Sequence, residues 1–321
     1  MVNPLREAHF QVKSVFQKTL RSEISCNGTG LHTGAHVTMT MCPAKPDTGI
    51  VFRRTDISGE GAELNARWNN VVDTTMGTTI GNDNNIRIST IEHLMAALHG
   101  CEIDNAIINI SGPEVPVMDG SAAPFVFLIE CAGIQEQEAQ RKVIEILKPI
   151  VVQDGDRSAS LSPAPIFSVE CEIYFDKRAI SRQSCHFHLS NGTFKSDICR
   201  ARTFGFEEDV AKLRAAGLAR GGSLKNAVVV SCDGDKVLNE EGLRYEDEFV
   251  RHKALDCIGD LYLAGASIRG LYRGIYSGHT LNNKLLHKLF EEKGAFRRVS
   301  AEEAAHASKT WESPHVSAME A

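Results

Sequence analysis

Apolar residues recur along this chain with two periods, and the change between them marks the elements. Alternation through His36–Met41 and the short apolar runs 49–54, 86–88 and 105–110 predict strands. Ile91, Leu94, Met95 and Leu98 instead follow the i, i+3, i+4, i+7 spacing of a helix over 89–99, with Gly100 as its stop signal. A second helix is expected over 122–131, before Gly133. The charged stretch 135–142 then reads as a linker, with a boundary near residue 141. Beyond it, 143–152, 158–161 and 167–175 read as strands, with Asp154-Gly155-Asp156 as a hairpin turn. A helix over 246–264, a strand over 269–276 and a helix over 280–292 close the pattern.

Each half thus runs through several strands, a helix, a strand and a last helix. The expected class is α+β, with two similar units packed face to face and a site between them. They span residues 16–140 and 141–300, flanked by an N-terminal extension (1–15) and a flexible tail (301–321). An insertion over about 204–240 interrupts the second unit. It holds a short amphipathic helix, a Gly217/Gly221/Gly222 cluster and the apolar strand 227–230, and is a candidate substrate-specific element.

The two inner helices carry the candidate chemistry. With its apolar stripe buried, the first leaves Glu92 and His93 on its other face. On the second, Val250, Ala254, Leu255, Ile258 and Leu261 form the stripe. His252, Asp256 and Asp260 climb the opposite face at i, i+4, i+8, with Lys253 beside them. Two imidazoles and one carboxylate are the three protein ligands that a catalytic zinc takes while keeping a fourth position for water. Other readings stay open at this point. Ser89-x-x-Glu92 is also a capping-box pattern, and His252-x-x-x-Asp256 also suits a solvated pair on a surface helix. His279 lies just before the last helix, whose dipole would lower its pKa unless a carboxylate such as Asp260 compensates.

Composition narrows the classes. With 42% hydrophobic and 24% charged residues over 321 positions, the chain is globular material with room for two domains. A net charge of −6 without a dense basic tract argues against nucleic acid as a partner. Nine scattered cysteines, with no C-x-x-C pair, argue against a disulfide framework and for a reducing compartment. The start lacks a signal-peptide core, and no run reaches the ~18 apolar residues of a spanning helix. The expectation is a cytoplasmic protein with no integral membrane segment and no evident obligate protein partner. Gly28–Gly34, around His32, lacks the lysine of a P-loop, so no nucleotide triphosphate site is expected there.

Five stretches carry a resemblance: Ser89-Thr-Ile-Glu-His-Leu-Met-Ala-Ala-Leu98, Pro116-Val-Met-Asp-Gly-Ser121, Ala201-Arg-Thr-Phe-Gly-Phe206, Phe249-Val-Arg-His-Lys-Ala-Leu-Asp256 and Ser277-Gly-His-Thr-Leu-Asn-Asn-Lys-Leu-Leu286. From about residue 18 to 295 the chain closely resembles the UDP-3-O-acyl-N-acetylglucosamine deacetylases of lipid A synthesis. The resemblance implies a duplicated fold like the second domain of ribosomal protein S5, and a Zn2+ cofactor, with Fe2+ as the alternative in the cell. It implies metal ligands at His93, His252 and Asp256, a general base at Glu92, and a general acid at His279 oriented by Asp260. Thr203 would stabilise the oxyanion and Lys253 would hold the UDP-3-O-acyl-GlcNAc substrate. An acyl passage would run through the insertion, along Phe204, Phe206, Val210, Leu218, Ala227 and Val229. Extra residues before the first strand and a slightly long hairpin over 230–237 depart from the family pattern.

Overall fold

In this computed structural model, residues 14–58, 61–189 and 192–309 are described. The first half runs β1 (Phe16–Leu20), β2 (Ile24–Thr29), β3 (His36–Pro43), β4 (Ile50–Arg54), β5 (Glu63–Asn65), β6 (Val71–Asp73), β7 (Thr79–Gly81), β8 (Arg87–Ile88), α1 (Glu92–Gly100), β9 (Ala106–Ile110), α2 (Ala123–Ala132) and β10 (Ile134–Gln140). The second runs β11 (Lys142–Ile146), β12 (Ile150–Asp154), β13 (Arg157–Ser162), β14 (Ser168–Phe175), β15 (Ser181–His188), β16 (Phe204–Phe206), α3 (Glu207–Ala215), β17 (Val228–Val230), α4 (Glu248–Tyr262), β18 (Ser267–Arg269), β19 (Leu271–Ile275), α5 (His279–Glu291), β20 (Phe296–Ser300) and α6 (Ala301–Lys309).

One topology occurs twice. The sheet β2-β3-β9-β4-β5 and the sheet β12-β13-β19-β14-β15 have the same strand order. In each, the central strand is parallel to one neighbour (β4 or β14) and antiparallel to the other (β3 or β13). A helix precedes each central strand and another follows it: α1 and α2 around β9, α4 and α5 around β19. The fold is therefore α+β with two similar α/β units, as the element order predicts.

The helices α1 and α4 pack against each other between the two units. Every residue of α1 is buried, because its apolar stripe faces its own sheet and its polar face meets α4. Leu94, Leu98, Leu255 and Ile258 are all fully buried, each contributing roughly 1.5–3 kcal/mol to folding. Gly259 makes the close helix approach possible, since a Cβ there would lie 2.0 Å from the Glu92 carbonyl oxygen. The Tyr262 hydroxyl, donating to the Ile103 carbonyl at 2.7 Å, ties the end of α4 to the first unit.

Several elements differ from expectation. The stretch 143–152 is two strands in different sheets, β11 and β12, separated by Leu147-Lys148-Pro149; proline has no N–H for a ladder. Likewise 269–276 divides at Gly270 into β18 and β19. The expected linker is largely a strand: β10 pairs antiparallel with β1, a polar edge ribbon that an alternation rule for half-buried strands misses. Residues 301–309, expected to be part of a flexible tail, form α6 against β11 and β20. The rest of that tail, and most of the N-terminal extension, lie outside the described residues.

Candidate metal centre

At the crossing of α1 and α4, His93 comes from one unit and His252 and Asp256 from the other. One ligand atom from each lies within 4.8 Å of the others, and all three residues are buried. Asp256 Oδ1 is 3.5 Å from His93 Nε2 and 3.3 Å from His252 Nε2. Tetrahedral zinc with bonds of about 2.0–2.1 Å separates its ligand atoms by about 3.3 Å, so the spacing suits such an ion. His252 Nδ1 faces the Ala201 carbonyl at 3.0 Å; a carbonyl can only accept, which places the proton on Nδ1 and the lone pair on Nε2. Burial lowers the His252 pKa to about 3, which keeps the imidazole in its ligand form. Asp256 Oδ1 is a buried acceptor that takes no hydrogen bond among the described residues. These residues fit a divalent metal.

Glu92 and His279 flank the same cleft, whose volume is about 410 Å³. Glu92 is the first residue of α1, and the helix has no side-chain cap, so the capping box over Ser89-x-x-Glu92 does not form. Its Oε2 instead accepts from the Thr78 N–H at 2.9 Å. Burial raises its pKa above the usual carboxylate range. His279 opens α5, and its Nδ1 lies 2.9 Å from Asp260 Oδ2, leaving Nε2 for the cleft. Burial and the helix dipole work against a charged imidazole, but the carboxylates of Asp260, Glu92 and Asp256 outweigh them and push its pKa up to about 9. Lys253 Nζ donates to Asp256 Oδ2 at 2.8 Å and lies 5.6 Å above the Phe204 ring.

Leu31, Thr90, Thr203, Phe204, Asp154 and Arg157 are among the other lining residues. The other residues read as passage lining stand apart from this cleft. Phe206 packs against Phe175 with ring centroids 5.5 Å apart; Val210 sits half-buried on α3; Leu218, Ala227 and Val229 are half-buried along the rest of the insertion. The fragments β16 and β17 pair in parallel at its base.

Two supporting residues escaped the sequence reading. Thr78 Oγ1 donates to Asp260 Oδ1 at 2.6 Å while its N–H holds Glu92, so one loop residue bridges both flanks of the cleft. Asn282 donates to Asp260 Oδ2 at 2.8 Å and accepts from the Tyr272 hydroxyl at 2.6 Å. Thr78 lies in a loop without periodicity and has no sequence signal. Asn282 has one: it is the polar residue within the apolar stripe of Leu281, Leu285, Leu286 and Leu289.

One charged residue at the start of α4, Glu248, is part of the buried structure. Arg202, 1% exposed, bonds Glu248 through its backbone N–H at 2.9 Å and its Nε at 2.9 Å, and Glu248 is fully buried. This pair fixes the irregular segment that carries the Ala201 carbonyl and Thr203, just before β16, against α4.

Two nitrogens and one oxygen converging in a buried cleft, with a carboxylate and a second imidazole beside them, form the donor set of a mononuclear metallohydrolase. The comparisons with known proteins point to a deacetylase. A family model described as UDP-3-O-acyl N-acetylglycosamine deacetylase matches residues 17–291. The UDP-3-O-acyl-N-acetylglucosamine deacetylase of Saccharophagus degradans is 51% identical over 289 residues, covering 89% of this chain and 94% of that protein. The enzyme of the same name from Phenylobacterium zucineum is 48% identical over 294 residues, covering 91% of this chain and all of that protein. The chain belongs to the UDP-3-O-acyl-N-acetylglucosamine deacetylase family.

Proposed function

We propose that this protein hydrolyses the acetamide of UDP-3-O-acyl-N-acetylglucosamine to the free amine and acetate in lipid A biosynthesis, acting in the cytoplasm with a divalent metal, Zn2+ or Fe2+, held by His93, His252 and Asp256. The observation that carries this reading is the convergence of those three ligand atoms from two structural units beside Glu92 and His279. No helix among the described residues is long and apolar enough to cross a membrane.

A divalent ion held by His93, His252 and Asp256 would supply Lewis acidity to the amide carbonyl and make water a better nucleophile near neutral pH. Glu92, unprotonated, takes the proton from the attacking water. Thr203 turns its hydroxyl to the oxygen on which charge develops, and Lys253 adds positive charge on that side. Protonated His279 gives its Nε2 proton to the departing nitrogen, so the sugar leaves as an amine. Asp260 holds the imidazole by Nδ1 throughout, itself held by Thr78 and Asn282. The acyl chain lies along Phe204 and the half-buried apolar residues of the insertion, Phe206, Val210, Leu218, Ala227 and Val229.

The test is acetate release from UDP-3-O-acyl-GlcNAc and from UDP-GlcNAc by the metal-loaded enzyme. Turnover confined largely to the acylated sugar is expected, and equal rates on both would remove the acyl passage from the account.

A further inference from the structure

Glu114 is fully buried and lies outside the reaction machinery, yet four donors converge on its carboxylate. Its Oε1 accepts from the His32 N–H at 2.8 Å and the Thr90 hydroxyl at 2.9 Å. Its Oε2 accepts from the Thr33 N–H at 2.8 Å and the Thr33 hydroxyl at 2.6 Å. Two separate pieces of wall are thereby held by one side chain. Leu31 and Thr90 both line the cleft, and Glu114 binds the residue next to the first and the side chain of the second.

On the helix side, Thr90 has φ of 58°, a left-handed conformation that costs a threonine of order 1–3 kcal/mol. It stands two residues before Glu92 and three before His93, so the bond to Glu114 ties the loop to the segment that leads into α1, a helix whose place is set independently by its packing on α4. On the loop side, residues 30–34 hold the insertion. The Gly221 N–H donates to the Leu31 carbonyl at 3.0 Å and the Arg220 N–H to the His32 carbonyl at 3.2 Å. The packing leaves no room for side chains: a Cβ on Gly30 would lie 2.3 Å from Glu114 Oε2, and one on Gly221 would lie 2.2 Å from the Gly30 carbonyl oxygen. Glu114, the 30–34 loop and the 219–222 turn are stacked in direct contact.

We infer that Glu114 is a positioning residue that registers the insertion of the second unit, and with it the acyl chain of the substrate, against the base and metal ligand at the start of α1. The inference rests on the deacetylase reading, in which the insertion receives the acyl chain. A carboxylate accepting four bonds cannot be replaced by an amide without aiming an NH2 at donors. Glu114→Gln therefore loosens the loop and the turn together.

The experiment compares wild type, Glu114→Gln and Thr33→Val, metal-loaded, for metal content and for kcat and KM on UDP-3-O-acyl-GlcNAc and UDP-GlcNAc. Glu114→Gln is expected to keep about one metal per chain and to lose about tenfold or more in kcat/KM on the acylated sugar, chiefly through KM, with a change of less than about threefold on the unacylated one. Thr33→Val, which removes one loop-side bond to Glu114 and the longer bond that the hydroxyl accepts from the Ala35 N–H, is expected to give a smaller loss with the same selectivity, and it carries the test if Glu114→Gln does not fold. Equal loss on both substrates, or an unchanged acylated-to-unacylated ratio in both variants, overturns the inference. A wild-type enzyme that released acetate from neither sugar would sink the deacetylase reading itself, and one with no preference for the acylated sugar would remove the acyl passage; both results are distinguishable because they need no variant.

Discussion

Gly259 of α4 and Glu92 of α1 meet backbone to backbone, with room for a hydrogen but not a methyl group: a Cβ on Gly259 would lie 2.0 Å from the Glu92 carbonyl oxygen and 3.1 Å from the Ala96 nitrogen. This contact sets the distance between the helices that supply the three candidate ligands. Gly259→Ala is expected to destabilise the fold by about 1–3 kcal/mol through overpacking and to weaken metal binding, because His93 moves away from His252 and Asp256. Urea unfolding with parallel metal titration checks both. Unchanged metal affinity in a destabilised variant would show that the crossing distance does not set the site.

Glu92→Gln preserves the shape of the side chain but removes its capacity to take a proton. Metal content is expected to stay at wild-type level while kcat falls by about 10²–10⁴, the usual worth of a general base. Loss of metal in this variant would reassign Glu92 as a ligand.

The pH profile follows from two shifts of the same sign. Burial raises Glu92, which must be unprotonated, so turnover rises with pH through a value above the normal carboxylate range. For His279 burial is outweighed by Asp260 and its neighbours; it must be protonated, so turnover falls as pH passes about 9. In Asp260→Asn the leading stabiliser of the imidazolium is gone, its pKa drops, and the basic limb moves to lower pH while the acidic limb, to which Asp260 contributes least, moves less. A basic limb that does not move would assign it to another group.

Arg202 and Glu248 form a buried pair in which Glu248 loses its cationic partner if Arg202 is removed, whereas Arg202 also bonds Glu241 at 2.8 Å. Arg202→Met is expected to cost about 3–5 kcal/mol, measured by denaturant unfolding, and to weaken metal binding as the Ala201 carbonyl loses its hold on His252 Nδ1. A cost below ~1 kcal/mol would mean that Glu248 finds other partners.

The parts of the fold legible in the sequence are those where one side of an element is buried. The stripes of α1 and α4 specify their helices, and the alternation from His36 to Met41 specifies β3. The residues brought together at the site were legible for the same reason: on both helices the candidate metal ligands are the polar remainder opposite a stripe. Pairing that depends on distant partners was not legible. The polar strand β10 owes its conformation to β1, more than a hundred residues earlier, and the break between β11 and β12 reflects a change of sheet at Pro149. Thr78 was invisible because half of its contribution is a backbone N–H, which every residue but proline offers. The pair formed by Arg202 and Glu248 was not legible either, because its partners lie 46 residues apart.

The most direct test of the account is anomalous diffraction from crystals of the protein grown with Zn2+. One ion per chain is expected at the crossing of α1 and α4, bonded to His93 Nε2, His252 Nε2 and a carboxylate oxygen of Asp256 at about 2.0–2.2 Å. An ion bound elsewhere, with these three side chains unligated in a preparation that releases acetate from UDP-3-O-acyl-GlcNAc, would contradict it.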